Sequence, residues 1–279
     1  MNAPQFPTIC FIGGGNMASS LISGLIADGC LASQITVAEP DAAKLIQLQK
    51  TFGINTRTDN NAAVASAEVV MLAVKPQILQ AVCRDLSAII QQHKPLLISI
   101  AAGVRSGDID RWLGHNNAIV RCMPNTPALL RCGITGLFAN PRVNAQQQQI
   151  TEKILSAAGS TLWVKTETQI DAVTAVSGSG PAYFFLLMEA MIAAGEKLGL
   201  DTNTAQHLTL QTAFGAARMA QESDVDAATL RARVTSKGGT TEAAIKTFQD
   251  NHFFELVQAA LAAANQRAGE LADRLSQDA

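Results

Sequence analysis

Three glycine-rich stretches in the 279-residue chain have the composition and spacing to hold an anion against the backbone. The first reads Ile12-Gly13-Gly14-Gly15-Asn16-Met17-Ala18. It follows an apolar run that starts at Ile9 and precedes Leu21, Ile22, Leu25 and Ile26 at helical spacing. A G-x-G-x-x-A pattern between a strand and a helix is the dinucleotide fingerprint, whereas the glycines alone would suit a turn in any parallel sheet. Gly13 would permit the tight turn, and Gly15 would let a pyrophosphate lie against the chain. Ala18 is small enough for helix and strand to pack closely. Free N–H groups at Asn16 and Met17 would then face the phosphates at the positive end of the helix.

Glu39 closes the next strand-like run, Gln34–Glu39, and stands 24 positions beyond Gly15. An acid there accepts hydrogen bonds from the adenosine ribose hydroxyls and favours NAD. A 2′-phosphate beside it would meet like charge, at a cost of about 1–4 kcal/mol at 4 Å, roughly ten- to thousandfold in affinity. Lys44, Arg57 or a rotated Glu39 would relieve that repulsion, and a carboxylate at this point also suits a helix cap. The cofactor choice stays open on these residues. Ala73-Val74-Lys75-Pro76 and Ala101-Ala102-Gly103 each follow a buried strand. Ligands of open sheets bind beyond such ends, so both turns are expected to face the cofactor. Pro76 also suits a first helical turn.

The other two stretches lie in the second half. Ser177-Gly178-Ser179-Gly180-Pro181-Ala182-Tyr183 and Thr235-Ser236-Lys237-Gly238-Gly239-Thr240-Thr241 each place small residues directly before an expected buried helix. Bare N–H groups there, with the hydroxyls of Ser236, Thr240 and Thr241 and the backbone at Gly239, suit a carboxylate. Capping explains one such segment, and two make a binding site the better reading. Neither contains His, Asp or Glu as an acid–base partner, and Ala182–Met188 supplies no lysine. Proton abstraction from an alcohol, as in a 3-hydroxy acid dehydrogenase, is poorly served. An anionic cyclic imine, which needs hydride and arrives already protonated, fits better.

The elements that must position these residues follow from periodicity. Val69–Val74, Leu96–Ile100 and Ala118–Met123 are short apolar runs of the kind buried on both faces of a sheet, and helical patterns separate them. That alternation predicts an α/β, doubly wound, mostly parallel sheet. Near Lys165 the character changes. Helices are expected at about 170–176, 181–198, 203–222, 227–235, 241–250 and 252–275, forming an all-α dimerisation domain. The composition is 48% hydrophobic and 16% charged with net charge −2, which suits a globular protein and offers nucleic acid no basic face. Five cysteines form no C-x-x-C pair and fit free thiols in a reducing compartment. The four histidines lie far apart and read as solvated or capping groups, with no metal expected. The longest oily stretch, Ala182–Ala194, contains Glu189 and is short for a bilayer span. A cytoplasmic protein without a membrane partner is expected.

Phe11–Ala18, Ala73–Pro76, Ala101–Gly103, Arg121–Pro127, Asp171–Tyr183 and Val234–Thr241 together resemble the pyrroline-5-carboxylate reductase family, over nearly the whole chain. The resemblance implies a dinucleotide-binding Rossmann domain over 1–165. It also implies a helical dimerisation and substrate domain over 166–279, joined into an intertwined homodimer that some members build into a decamer. Carried across, Ile12, Gly13, Gly14, Gly15, Asn16 and Met17 would hold the pyrophosphate, and Asn60 the adenosine ribose. Ala73, Val74, Lys75, Pro76, Ala101 and Ala102 would line the nicotinamide half. Ser236, Gly239 and Thr240 would bind the carboxylate of 1-pyrroline-5-carboxylate, with Thr241 at the ring nitrogen as proton donor or relay. The implied cofactor is NADPH, with NADH close behind because Glu39 departs from the small or basic residues common at that place.

Overall fold

Residues 6–277 are described by a computed structural model of the chain. Four-residue apolar strands make its centre: β1 (Ile9–Ile12), β2 (Ile35–Ala38), β4 (Val69–Leu72) and β5 (Leu96–Ser99). With β3 (Asn55–Arg57), β6 (Ile119–Met123), β7 (Gly133–Ala139) and β8 (Gly159–Trp163) they form one sheet of order β3-β2-β1-β4-β5-β6-β7-β8. Neighbours from β3 to β6 run parallel, β7 runs antiparallel to β6, and β8 lies parallel to β7.

Successive strand residues point to opposite faces, so two cores form. Ile9, Phe11, Val69, Met71 and Ile98 pack on one side with α1 (Asn16–Ala27), α2 (Ala42–Phe52) and α6 (Ala145–Leu155). Cys10, Ile12, Val70, Leu72 and Leu97 pack on the other with α3 (Asn60–Val64), α4 (Pro76–His93) and α5 (Ser106–Trp112). Helices on both faces give the expected doubly wound sheet. Burial pushes the Cys10 and Cys83 thiols up to about 12, so both stay neutral. All five cysteines are free.

The later helices are α7 (Gln169–Val173), α8 (Gly180–Lys197), α9 (Thr202–Glu222), α10 (Ala227–Arg233), α11 (Thr240–Asp250) and α12 (Phe253–Gln277). Each falls within a few residues of its expected span. By packing, the chain divides into two compact units, one running to Ser179 and regained from Ala264 onward, the other Gly180–Ala263. The end of α12 therefore belongs to the first unit. There Leu275 packs on the core around α4 and α5, and Arg105 Nη2 meets Asp273 Oδ1 at 2.5 Å.

Two expectations need correction. The stretch Ser177–Tyr183 does not open a new helix out of a loop, because Thr174–Gly178 is a π-turn continuing α7. Its widened ring is closed by Ser179 N–H donating to Thr174 O at 2.8 Å, and α8 follows at once. Nor is α8 buried within this chain, since Phe184, Phe185 and Leu186 stand exposed. The continuous run Gln169–Lys197 spans 29 residues, long and apolar enough by length and composition to cross a membrane. The oily stretch read from the sequence was shorter because it left out the π-turn and α7.

Candidate active site

The first site forms where β1, β2, β4 and β5 end side by side. Gly13 turns with φ +100°, and a Cβ built on it would lie 2.7 Å from Ala73 O. Only glycine allows the β1 turn to press against the strand-end backbone at Ala73. Ala73 N–H donates to Ile12 O at 2.9 Å and Gly13 N–H to Ala38 O at 2.8 Å, which locks the loop between its neighbours. Gly15 is the N-cap of α1, with no side chain capping the helix. A Cβ on Gly15 would meet nothing within 4 Å. The amides opening α1 therefore face open space at a positive helix end, the cradle a diphosphate requires.

Glu39 follows β2 and is 9% exposed. Its Oε2 accepts the Gly14 N–H at 3.0 Å, and Lys44 Nζ lies 3.7 Å from Oε1. The capping role belongs instead to Asp41, whose Oδ1 accepts the N–H groups of Ala43 at 2.9 Å and Lys44 at 3.3 Å. Asn60 opens α3 behind the cap Asp59. Lys75 is the N-cap of α4 and Pro76 its first residue. Ala101 and Ala102 follow β5, where Ala101 N–H donates to Ser99 Oγ at 3.4 Å.

The second site lies within the other compact unit. Gly238 takes φ +75° and Gly239 caps α11 in extended geometry, with no side-chain cap. Gly239 N–H donates to Ser236 O at 3.0 Å, and Gly238 N–H to Glu242 Oε2 at 2.7 Å. That carboxylate is thereby tied to the loop. A cavity of about 690 Å3 runs between α10 and α11, lined by Arg231, Thr235, Gly239, Glu242 and Lys246 among others. Of the four expected substrate residues only Gly239 lines it. Ser236 and Thr240 are exposed and Thr241 is half-buried.

Reading the sequence missed a buried ion cluster. Arg121 on β6, its side chain 3% exposed, lies 3.5 Å from Glu167 Oε1 and 3.4 Å from Asp171 Oδ1. Glu167 also accepts the Ser106 N–H at 2.6 Å and the Ser106 hydroxyl at 2.9 Å. Asn125 Nδ2 donates to Ser177 O at 3.2 Å, so the π-turn is tethered to the end of β6. The available signal was an arginine in the middle of Ile-Val-Arg-Cys-Met, where only a paired charge is affordable.

Two family models match this chain. NADP oxidoreductase coenzyme F420-dependent covers residues 8–103, and pyrroline-5-carboxylate reductase dimerisation covers 167–271. Fold and site thus define a dinucleotide-dependent oxidoreductase with an appended helical dimerisation region. Over 271 residues the chain is 56% identical to pyrroline-5-carboxylate reductase of Pseudomonas aeruginosa, covering 97% of this chain and 99% of that one. It belongs to the pyrroline-5-carboxylate reductase family. The Pasteurella multocida relative is 47% identical over 272 residues, 96% of this chain and 98% of that one. The solved Coxiella burnetii reductase superposes with TM-score 0.93 at 47% identity, covering 96% of this chain and 99% of that chain. The Plasmodium falciparum pyrroline carboxylate reductase, solved with NADP bound, gives 0.84 at 29% identity over 97% and 100%.

Proposed function

We propose that this chain reduces 1-pyrroline-5-carboxylate to L-proline, the closing step of proline synthesis, with NADPH or NADH as reductant. The observation that carries the reading is the uncapped amino end of α11 behind the left-handed Gly238, in the region matching the reductase dimerisation family. The amides there, with the Ser236 and Thr240 hydroxyls, hold the substrate carboxylate. The Thr241 hydroxyl bonds the ring nitrogen and donates or relays its proton.

When bound, the reduced nicotinamide supplies a hydride to the imine carbon. The chain's own part is to bind and orient. The β1 turn and the start of α1 hold the diphosphate, Asn60 the adenosine ribose, and the turns at Ala73–Pro76 and Ala101-Ala102 the nicotinamide half. Glu39 faces the adenosine end. A protonated imine is already electrophilic, so most of the rate comes from holding the reactants together. The working unit is a homodimer, with assembly to a decamer open to the same chain, and five free thiols suit the cytoplasm.

The deciding experiment follows nicotinamide absorbance with purified protein. Oxidation of NADPH or NADH that depends on pyrroline-5-carboxylate and yields proline mole for mole is expected. No oxidation with either cofactor would sink the reading.

A further inference from the structure

We propose that Glu39 makes NADH, rather than NADPH, the preferred dinucleotide of this chain; the inference rests on the proposed reductase function and specifies its cofactor. A relative accepts NADP. The preference must therefore come from the residues this chain places beyond β2.

Glu39 is fixed before any ligand arrives. Its Oε2 is held by the Gly14 N–H at 3.0 Å, inside the turn that cradles the diphosphate, and the side chain is nearly buried. That bond orients the carboxylate and leaves Oε1 its acceptor capacity, since Lys44 Nζ at 3.7 Å is too distant for a hydrogen bond. A fixed acceptor at the end of the second strand is what ribose hydroxyls require, and it repels a 2′-phosphate.

The neighbouring groups offer that phosphate little relief. The start of α2, two residues on, has two of its free amides, Ala43 and Lys44, taken by the Asp41 carboxylate at 2.9 and 3.3 Å. The start of α3 is likewise occupied, since Asp59 Oδ1 accepts the Asn61 N–H at 2.9 Å. The Arg57 guanidinium gives one of its five donors to its neighbour's carbonyl, Thr56 O, at 3.1 Å, and at its exposed position solvent screens its charge. Lys44 stands nearest but already faces Glu39, so its charge is partly spent. Rotating Glu39 away would strand the Gly14 amide, so the escape left open by the sequence carries a cost.

Equilibrium titration of the whole protein by nicotinamide fluorescence, with NADH and NADPH in turn, tests this without turnover. ADP-ribose and its 2′-phosphate derivative, titrated by calorimetry, isolate the adenosine half. We expect NADH and ADP-ribose each to bind at least tenfold tighter than the phosphorylated counterpart. Glu39→Gln keeps an acceptor for the Gly14 amide and removes the charge; it should shrink the ratio below threefold, mainly by tightening NADPH. Wild-type protein that binds NADPH as tightly as NADH overturns the proposal, as does a folded Glu39→Gln variant with an unchanged ratio. Should that variant not fold, the wild-type ratio decides alone. A preference for NADPH leaves the reductase reading standing, whereas binding of neither dinucleotide ends both.

Discussion

At the scale of single residues, the proposed chemistry rests on one hydroxyl and on charges that are held still. Thr241 sits in the first turn of α11, half-buried beside the uncapped helix end. Thr241→Ala should lower kcat/KM for pyrroline-5-carboxylate roughly ten- to hundredfold, the value of one hydrogen bond to a charged group, about 1.5–3 kcal/mol. Thr241→Ser should restore most of it. Dinucleotide affinity should stay within about twofold, because the β1 turn proposed to hold the diphosphate belongs to the other compact unit. Steady-state kinetics beside fluorescence titration separate these effects, and unchanged kinetics would remove Thr241 from the mechanism. Glycine and threonine are legible in a sequence because their types announce unusual backbone or capping. The Arg121–Glu167–Asp171 cluster was not legible, because its acids lie 46 and 50 positions away and only the fold brings them to one strand.

Among the elements, the sheet was legible wherever strands are buried on both faces. Continuous apolar runs such as Val69–Leu72 have no other comfortable place. β7 and β8 escaped because Gly-Ile-Thr-Gly-Leu-Phe-Ala and Gly-Ser-Thr-Leu-Trp mix glycine and polar residues at the margin of the sheet, where propensity is weak. The π-turn Thr174–Gly178 escaped because its last two residues open the run Ser-Gly-Ser-Gly-Pro, which reads as a loop, yet one extra residue per turn accommodates them inside a helix. α1 offers a sharper test of packing. A Cβ on Gly24 would lie 2.1 Å from Ala157 O and 2.7 Å from its carbonyl carbon, both backbone atoms with little freedom. Helix propensity favours alanine there by about 1 kcal/mol, but overpacking costs about 1–3 kcal/mol even where side chains can yield. Gly24→Ala should therefore lose about 2 kcal/mol, seen as a Tm lower by about 4–8 °C. Gly107→Ala on α5, where a Cβ would meet nothing within 4 Å, should leave Tm unchanged or slightly raised. A Gly24→Ala protein as stable as wild type would show that α1 does not rest on that carbonyl.

For the whole molecule, the helical unit poses a problem of uncovered surface. In α8, Phe185 is 63% and Leu186 66% exposed, and Phe214 on α9 and Phe254 and Leu256 on α12 stand out as far. Helices this apolar on their outer faces require a partner. A bilayer would accept the run Gln169–Lys197, but that run carries Asp171, Glu189 and Glu196, each costly in hydrocarbon. The apolar residues of α9 stand among Gln, Thr and Asn with Arg218 and Glu222, and those of α12 among five charges, a pattern that suits a protein surface with a polar rim. The dimerisation family model covers the region, so a second copy is the occupant that accounts for all three helices together. Sedimentation in detergent-free buffer should give a particle of two 29.4 kDa chains or an even multiple, the multiple marking assembly beyond the dimer. Phe185→Glu, which sets a charge in the middle of this exposed apolar face, should shift the particle to single chains and abolish turnover. Dinucleotide affinity should survive, because α8 lies outside the compact unit that holds the β1 turn. A wild-type chain that sediments alone at micromolar concentration while reducing its substrate at full rate would leave the exposed helices without a purpose, and would place the active site within a single protomer.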